Sequence, residues 1–270
     1  MIRSALLFIF SVWAISAQTP VETAWTILKD GVSDKSPDNR AKAINALGLL
    51  GRESKAREMA ESALTDEKYQ VRIAAANALG RMKATASIPR LKAALDDTDG
   101  SVIIAVANAL YEMDDPAAYE VFYAVLRGER KSGAGLKESQ MRILNDPKAL
   151  ARMGFEQGIG FVPFAGAGYS VFKLVTKDDA SPVRAAAAQK LVRDPDPKAA
   201  EGLDATIADK KWLVRAAAID ALAKRDDTSH ISDIASAMKD DNDVVRYTAA
   251  SAVIRLSNQP GPATKTPKKK

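Results

Sequence analysis

The 270-residue sequence contains no cysteine and a single histidine, His230. Without thiols there are no disulfides, no thiolate nucleophile and no lipid on an N-terminal cysteine. With one imidazole, a Ser/His/Asp hydrolase would have to work through His230, and no serine near it lies in a nucleophile-elbow motif. No Cys/His/Asp/Glu group recurs along the chain at metal-ligand spacing, so neither metal nor cofactor is expected. His230 stands beside a predicted helix start and reads as a capping or surface residue. Excess charge is also scarce. The 39 Lys and Arg exceed the 34 Asp and Glu by five, and Arg3, Lys265, Lys268, Lys269 and Lys270 at the two ends account for all five. The body is neutral, which argues against a nucleic-acid groove, since that needs basic residues gathered on a folded surface.

What is present is a repeat. In Asp209 to Leu222 (DKKWLVRAAAIDAL) an Asp is followed six residues later by Arg, with Val before the Arg, small residues after it and Leu seven positions on. The frame recurs as Asp34/Arg40/Leu47, Asp66/Arg72/Leu79, Asp97/Ile103/Leu110, Asp178/Arg184/Leu191 and Asp240/Arg246/Val253. Measured at the Arg position the steps are 32, 31, 81, 31 and 31 residues, regular but for one central break. A period near 30 marks a solenoid, each unit burying its apolar face against the next. The Asp is placed to cap a helix N-terminus. The Arg is placed to pair with that Asp or with the Asp of a neighbouring repeat. Asp34, Arg40, Asp66, Arg72, Asp178, Arg184, Asp209, Arg215, Asp240 and Arg246 are therefore read as structural, and Asp97 loses its own partner to Ile103. Alanine runs such as Ala74 to Ala76, Ala185 to Ala188 and Ala216 to Ala218 favour helix and close stacking.

The pattern V-R-x-A-A-x-x-A-L at Val71 to Leu79 and Val214 to Leu222 resembles HEAT repeats, and more narrowly the bacterial phycobilisome-lyase-type subgroup, over roughly residues 21 to 257. The resemblance implies an all-α solenoid of about seven antiparallel helix pairs in a right-handed superhelix. It does not fix activity, because the family includes scaffolds, adaptors and a few enzymes. One His removes the His-Glu dyads of the metal-dependent HEAT hydroxylases, and bilin lyase activity is implied by the subgroup alone.

In chain order, residues 1–17 carry a basic start, an apolar stretch from Ala5 to Ile15 and small residues up to Ala17, the layout of a secretory signal. The apolar stretch is short for a membrane span. Export, periplasmic or extracellular, is the expectation, with an uncleaved anchor as the alternative. Helix pairs are expected at 21–32 and 38–50, 54–64 and 68–82, 85–95 and 101–113, then 116–127 and 135–145. Beyond the break follow 181–193, 197–208 with 211–224, and 229–239 with 242–257. The tail, 258–270, is rich in Pro and Lys and too polar to order itself.

The break, residues 147–176, holds five glycines from Gly154 to Gly168 and four of the seven Phe, namely Phe155, Phe161, Phe164 and Phe172. Three readings stay open for this helical insertion: packing on the array, a ligand or partner cleft, or membrane contact through 155–176. Its glycines lack the preceding strand and the Lys-Ser/Thr of a phosphate loop. Five places after the lattice Arg come Asn45, Asn77, Asn108, Gln189, Asp220 and Ser251, all polar. Any amphipathic helix is polar on one face. The functional alternative is a partner-binding ridge along the concave wall. The expected function is thus a non-enzymatic, monomeric scaffold for a protein or peptide outside the cytoplasm.

Overall fold

The computed structural model describes residues 18–127 and 181–259, and all regular structure among them is helical. Helix α1 (Pro20–Val32) pairs with α2 (Pro37–Leu47), α3 (Ser54–Ala63) with α4 (Tyr69–Met82), and α5 (Ile88–Ala93), between two 3-10 turns, with α6 (Gly100–Tyr111). Next comes α7 (Ala117–Arg127). Past the undescribed residues lie α8 (Ser181–Lys190), α9 (Pro197–Ala205) with α10 (Trp212–Lys224), and α11 (Ile231–Ser236), again between 3-10 turns, with α12 (Asp243–Ser257). These agree with the expected helices to within a few residues at each end. The expected helix 135–145, the insertion 147–176, the signal segment and most of the tail lie outside the described residues. No helix among the described residues is long and apolar enough to cross a membrane.

Local chemistry explains the helix starts. Thr19 and Glu22 form a reciprocal capping box, and Pro20, Pro37 and Pro197 occupy first-turn positions whose N–H would be unused. The lattice Asp is not the cap. Its carboxylate accepts the backbone N–H two residues on, at Ser36, Lys68, Asp99, Lys211 and Asn242, and those residues are the N-caps. A short Asp side chain reaches its own i+2 amide most easily, closing a turn that aims the chain into the helix.

The Arg joins that turn to the next repeat. Arg40 holds Asp66 with two hydrogen bonds of 2.8 and 2.9 Å, Arg72 holds Asp97 at 2.6 and 2.8 Å, and Arg215 holds Asp240 at 2.7 Å twice. Arg184 pairs with Asp209. The remaining guanidinium nitrogen of Arg40, Arg72 and Arg215 donates to the carbonyls of the Arg's own turn, at Asp34, Asp66 and Asp209. Each Arg therefore ties its own linker to its neighbour's, and Asp97, whose own repeat has Ile103 in place of Arg, has Arg72.

Between repeats the second helices α2, α4 and α6 stack side by side, as do α8, α10 and α12, while α3 and α5 scarcely meet α1 or each other. Ala74, Ala75, Ala76, Ala216, Ala217 and Ala218 are buried at these contacts, where side chains of one carbon let the axes come close. Close inner helices and splayed outer ones curve the array, with the second helices on the concave side.

The spatial order is not the chain order. Helix α12 packs against both α1 and α2, so the second helices form one row, α8, α10, α12, α2, α4, α6, in which the last repeat precedes the first. A terminal repeat needs a polar outer face to be soluble. Neither repeat here has one: α12 buries Tyr247, Ala250, Val253 and Ile254 from all around it, and the first pair offers Ala24, Leu28, Gly31 and Ala43. Each end caps the other. Across this seam Tyr247 lies over Gly31, Lys42 meets Asp243 at 3.6 Å, and Arg255 donates to the Leu49 carbonyl at 3.0 Å. The Arg-Asp ladder does not cross it. Arg246 turns back to Asp243, and Asp34 takes Asn39 instead.

The ladder makes stability pH-dependent. Burial pushes the Asp66 and Asp240 carboxyls up, but hydrogen bonds from Arg40 and Arg215, the turn amides and nearby guanidinium charges outweigh it and hold both below the usual range. A depressed folded-state pKa means that the unfolded chain takes up protons first. The ladder's contribution is complete above the ordinary Asp value of about 4 and disappears as pH falls through the lower folded values. Denaturant midpoints should accordingly hold between pH 5 and 7 and drop below about pH 4, and the Arg40→Ala/Arg215→Ala double variant should show a smaller drop.

Candidate functional site: the concave wall and the seam cleft

The six polar positions of the second helices do fall in one spatial series, in the order Gln189, Asp220, Ser251, Asn45, Asn77, Asn108. They are not equally available. Asn45, Asp220 and Ser251, in the middle of the row, are buried at 5%, 1% and 0% exposure, whereas Gln189 and Asn77 are half-buried and Asn108 is exposed. Packing closes the centre of the row, so a partner-facing role falls on Asn77 and Asn108 at one end. Gln189, at the other end, is engaged by its neighbours: it donates to Asp220 at 2.9 Å and to the Ala217 carbonyl at 3.3 Å, while Lys224 reaches Asp220 at 2.7 Å and the Gln189 side-chain oxygen at 3.4 Å. Phe155, Phe161, Phe164 and Phe172 lie outside the described residues.

A second series, which the sequence reading missed, runs along the C-terminal ends of these helices. Arg81 donates to the Asn45 carbonyl. Arg225 donates to the carbonyls of Leu191 and Asp194, both at 2.6 Å, and Arg255 to that of Ala223 at 2.9 Å. The last carbonyls of a helix have no partner in their own helix, and a cation there also meets the negative end of the dipole. An Arg from the adjacent repeat satisfies both needs. Part of the signal was present in the sequence, since Arg81 and Arg255 each stand nine places after the lattice position, with Arg225 one place further on. Gly48 makes room for one of these contacts, because a Cβ there would lie 2.7 Å from the Arg81 Cζ. Burial pulls the Arg81 guanidinium pKa down while the Asp220 charge opposes it.

The ends of α2, α4 and α12 surround an open cleft of about 320 Å³. It is lined by Gly48 to Glu53, Arg81 to Lys83, Arg255, Asn258 and Gln259. Four cations, Arg52, Arg81, Lys83 and Arg255, face one carboxylate, Glu53, in this lining. Arg81 and Arg255 are committed to carbonyls, while Arg52 and Lys83 are exposed at the mouth. Such a lining can accept carboxylates and backbone groups of an extended segment. It offers no paired nucleophile and base.

The family described as HEAT repeats matches residues 26–110, 58–133 and 170–254, more than half of the chain. Among solved structures, human deoxyhypusine hydroxylase in complex with glycerol is similar to 89% of this chain and 98% of its own, at 18% identity and a TM-score of 0.36. No curated protein matches.

Proposed function

Because the chain belongs to the HEAT-repeat family, we propose that it is a non-enzymatic scaffold that holds a protein or peptide segment against its concave face, outside the cytoplasm. The observation that supports this most is the seam cleft, a basic, amide-edged opening at the C-terminal ends of the second helices. Its chemistry favours a segment carrying carboxylates, either acidic side chains or a chain terminus. Asn77 and Asn108 extend from it as hydrogen-bonding positions along the row. The signal-like residues 1–17 support an exported site of action, and the neutral body disfavours nucleic acid.

Pull-down from the exported fraction should recover a defined protein whose binding weakens by about 1–3 kcal/mol in Asn77→Ala/Asn108→Ala, two hydrogen bonds' worth. Arg52→Glu/Lys83→Glu should weaken it further and flatten its dependence on salt. A chromophore or other small molecule retained in place of a protein, or catalytic turnover, would instead favour a lyase-type accessory with its site at 147–176. Capture only on vesicles would favour a membrane-associated assembly factor using 155–176.

A further inference from the structure

Away from the concave wall, on the outer helices of the last two complete pairs, the fold assembles a group that no spacing along the chain reveals. Asp204 near the end of α9, His230 in the turn before α11 and Asp233 in α11 each offer a ligand atom, and these atoms all lie within 4.8 Å of one another. The His230 Nδ1 and Asp204 Oδ1 are 3.1 Å apart. Yet this Oδ1 is buried and makes no hydrogen bond, so the imidazole N–H does not point at it. Two lone-pair atoms held about 3 Å apart without a shared proton match neighbouring ligands of one tetrahedral ion, which stand about 3.3 Å apart when each bond is about 2.0–2.1 Å. On the far side of the ring, Asp227 Oδ2 lies 3.8 Å from Nε2, and the other oxygen of Asp227 is fixed by the Ser229 amide at 3.0 Å and hydroxyl at 2.6 Å. At that distance the Asp227 carboxylate does not hydrogen-bond the ring, but its charge lies on the side of Nε2, the nitrogen that must carry the proton if Nδ1 is to ligate.

We propose that Asp204, His230 and Asp233 form a binding site for a divalent transition-metal cation, Zn²⁺ in the first instance. One imidazole and two carboxylates suit a borderline cation better than Ca²⁺ or Mg²⁺, which prefer all-oxygen shells, and with no thiolate they do not suit Cu(I). Three protein ligands leave a position for water or for a carboxylate from outside. The ion ties α9 to α11, outer helices of adjacent pairs that otherwise have little direct packing. This reading is independent of the concave-face function.

His230 is the only histidine, so its ring resonances in the untagged full-length protein need no assignment. Nitrogen-15 spectra during titration with ZnCl₂ are expected to saturate at one ion per chain, with the shift concentrated on Nδ1. Calorimetry should show a loss of at least tenfold in affinity for Asp204→Asn and for Asp233→Asn, and no change for Glu201→Gln on the exposed side of α9. Circular dichroism of each variant checks folding, and Co²⁺ absorption in the visible region gives a second readout of the coordination shell. A ring that does not respond to a stoichiometric ion, ligation through Nε2, or binding that survives Asp204→Asn/Asp233→Asn would each overturn the site.

Discussion

Replacing Tyr247 with alanine is expected to lower stability by about 3–5 kcal/mol, the usual cost of emptying a large aromatic site, and to loosen the two ends of the chain first. The ring is 6% exposed and fills the space left by the missing side chain of Gly31. A Cβ at Gly31 would lie 2.6 Å from the Tyr247 Cε1 and 2.7 Å from the Ala43 Cβ, distances at which something must move. Gly31→Ala should therefore cost about 1–3 kcal/mol by overpacking. In the Tyr247→Ala background the same change should cost less, although Ala43 prevents full rescue. That non-additivity is the signature of direct contact. Hydrogen exchange in the Tyr247→Ala variant should rise in α1 and α12 ahead of α4 and α10. A rise spread evenly over the chain, or strict additivity in the cycle, would mean that the first and last repeats do not support each other.

Replacing Arg215 with alanine is the second large effect, expected at about 3 kcal/mol. The side chains of Arg215 and Asp240 are only 17% and 13% exposed, so removing the cation leaves a largely buried carboxylate without its main partner. The carbonyl of Asp209 loses its donor in the same change. Arg215→Lys should recover little, because a single ammonium cannot bind both carboxylate oxygens and the turn carbonyl at once. Arg246→Ala should cost distinctly less, since at the seam that Arg turns to the nearby, more exposed Asp243. Urea denaturation of the three variants tests the ranking, and equal losses at 215 and 246 would mean that the ladder adds nothing beyond a local turn. Because neighbours in a repeat array share interfaces, the loss at 215 should appear as earlier exchange in α10 and α12.

Much of this architecture was legible because it is written locally. Helix positions follow from the alanine runs, from Pro at first turns and from the Asp that closes each linker, all read within about ten residues. The 31-residue step then announces stacking, since identical faces must meet identical partners. Even the Arg-Asp pair was anticipated, though residue types alone left its direction open between the Arg's own Asp and a neighbour's. Geometry chose the neighbour because the Asp is already turned onto its own i+2 amide, leaving outward oxygens for the adjacent Arg.

What the chain by itself determined is therefore the repeat, the placement of its helices and the charge frame that joins them. The tertiary structure alone decided that the last repeat sits against the first, because this depends on two apolar end faces, more than two hundred residues apart, fitting better to each other than to water. Packing of the row likewise buries Asn45, Asp220 and Ser251, which periodicity places on an ordinary polar face, and leaves Asn77 and Asn108 available. It also opens the cleft between helix ends that are distant in sequence. His230 looks like a lone surface residue until α9 brings Asp204 beside it from 26 residues upstream. Local pattern determines which face a side chain takes on its own helix, but only the summed packing of all the helices determines what that face meets.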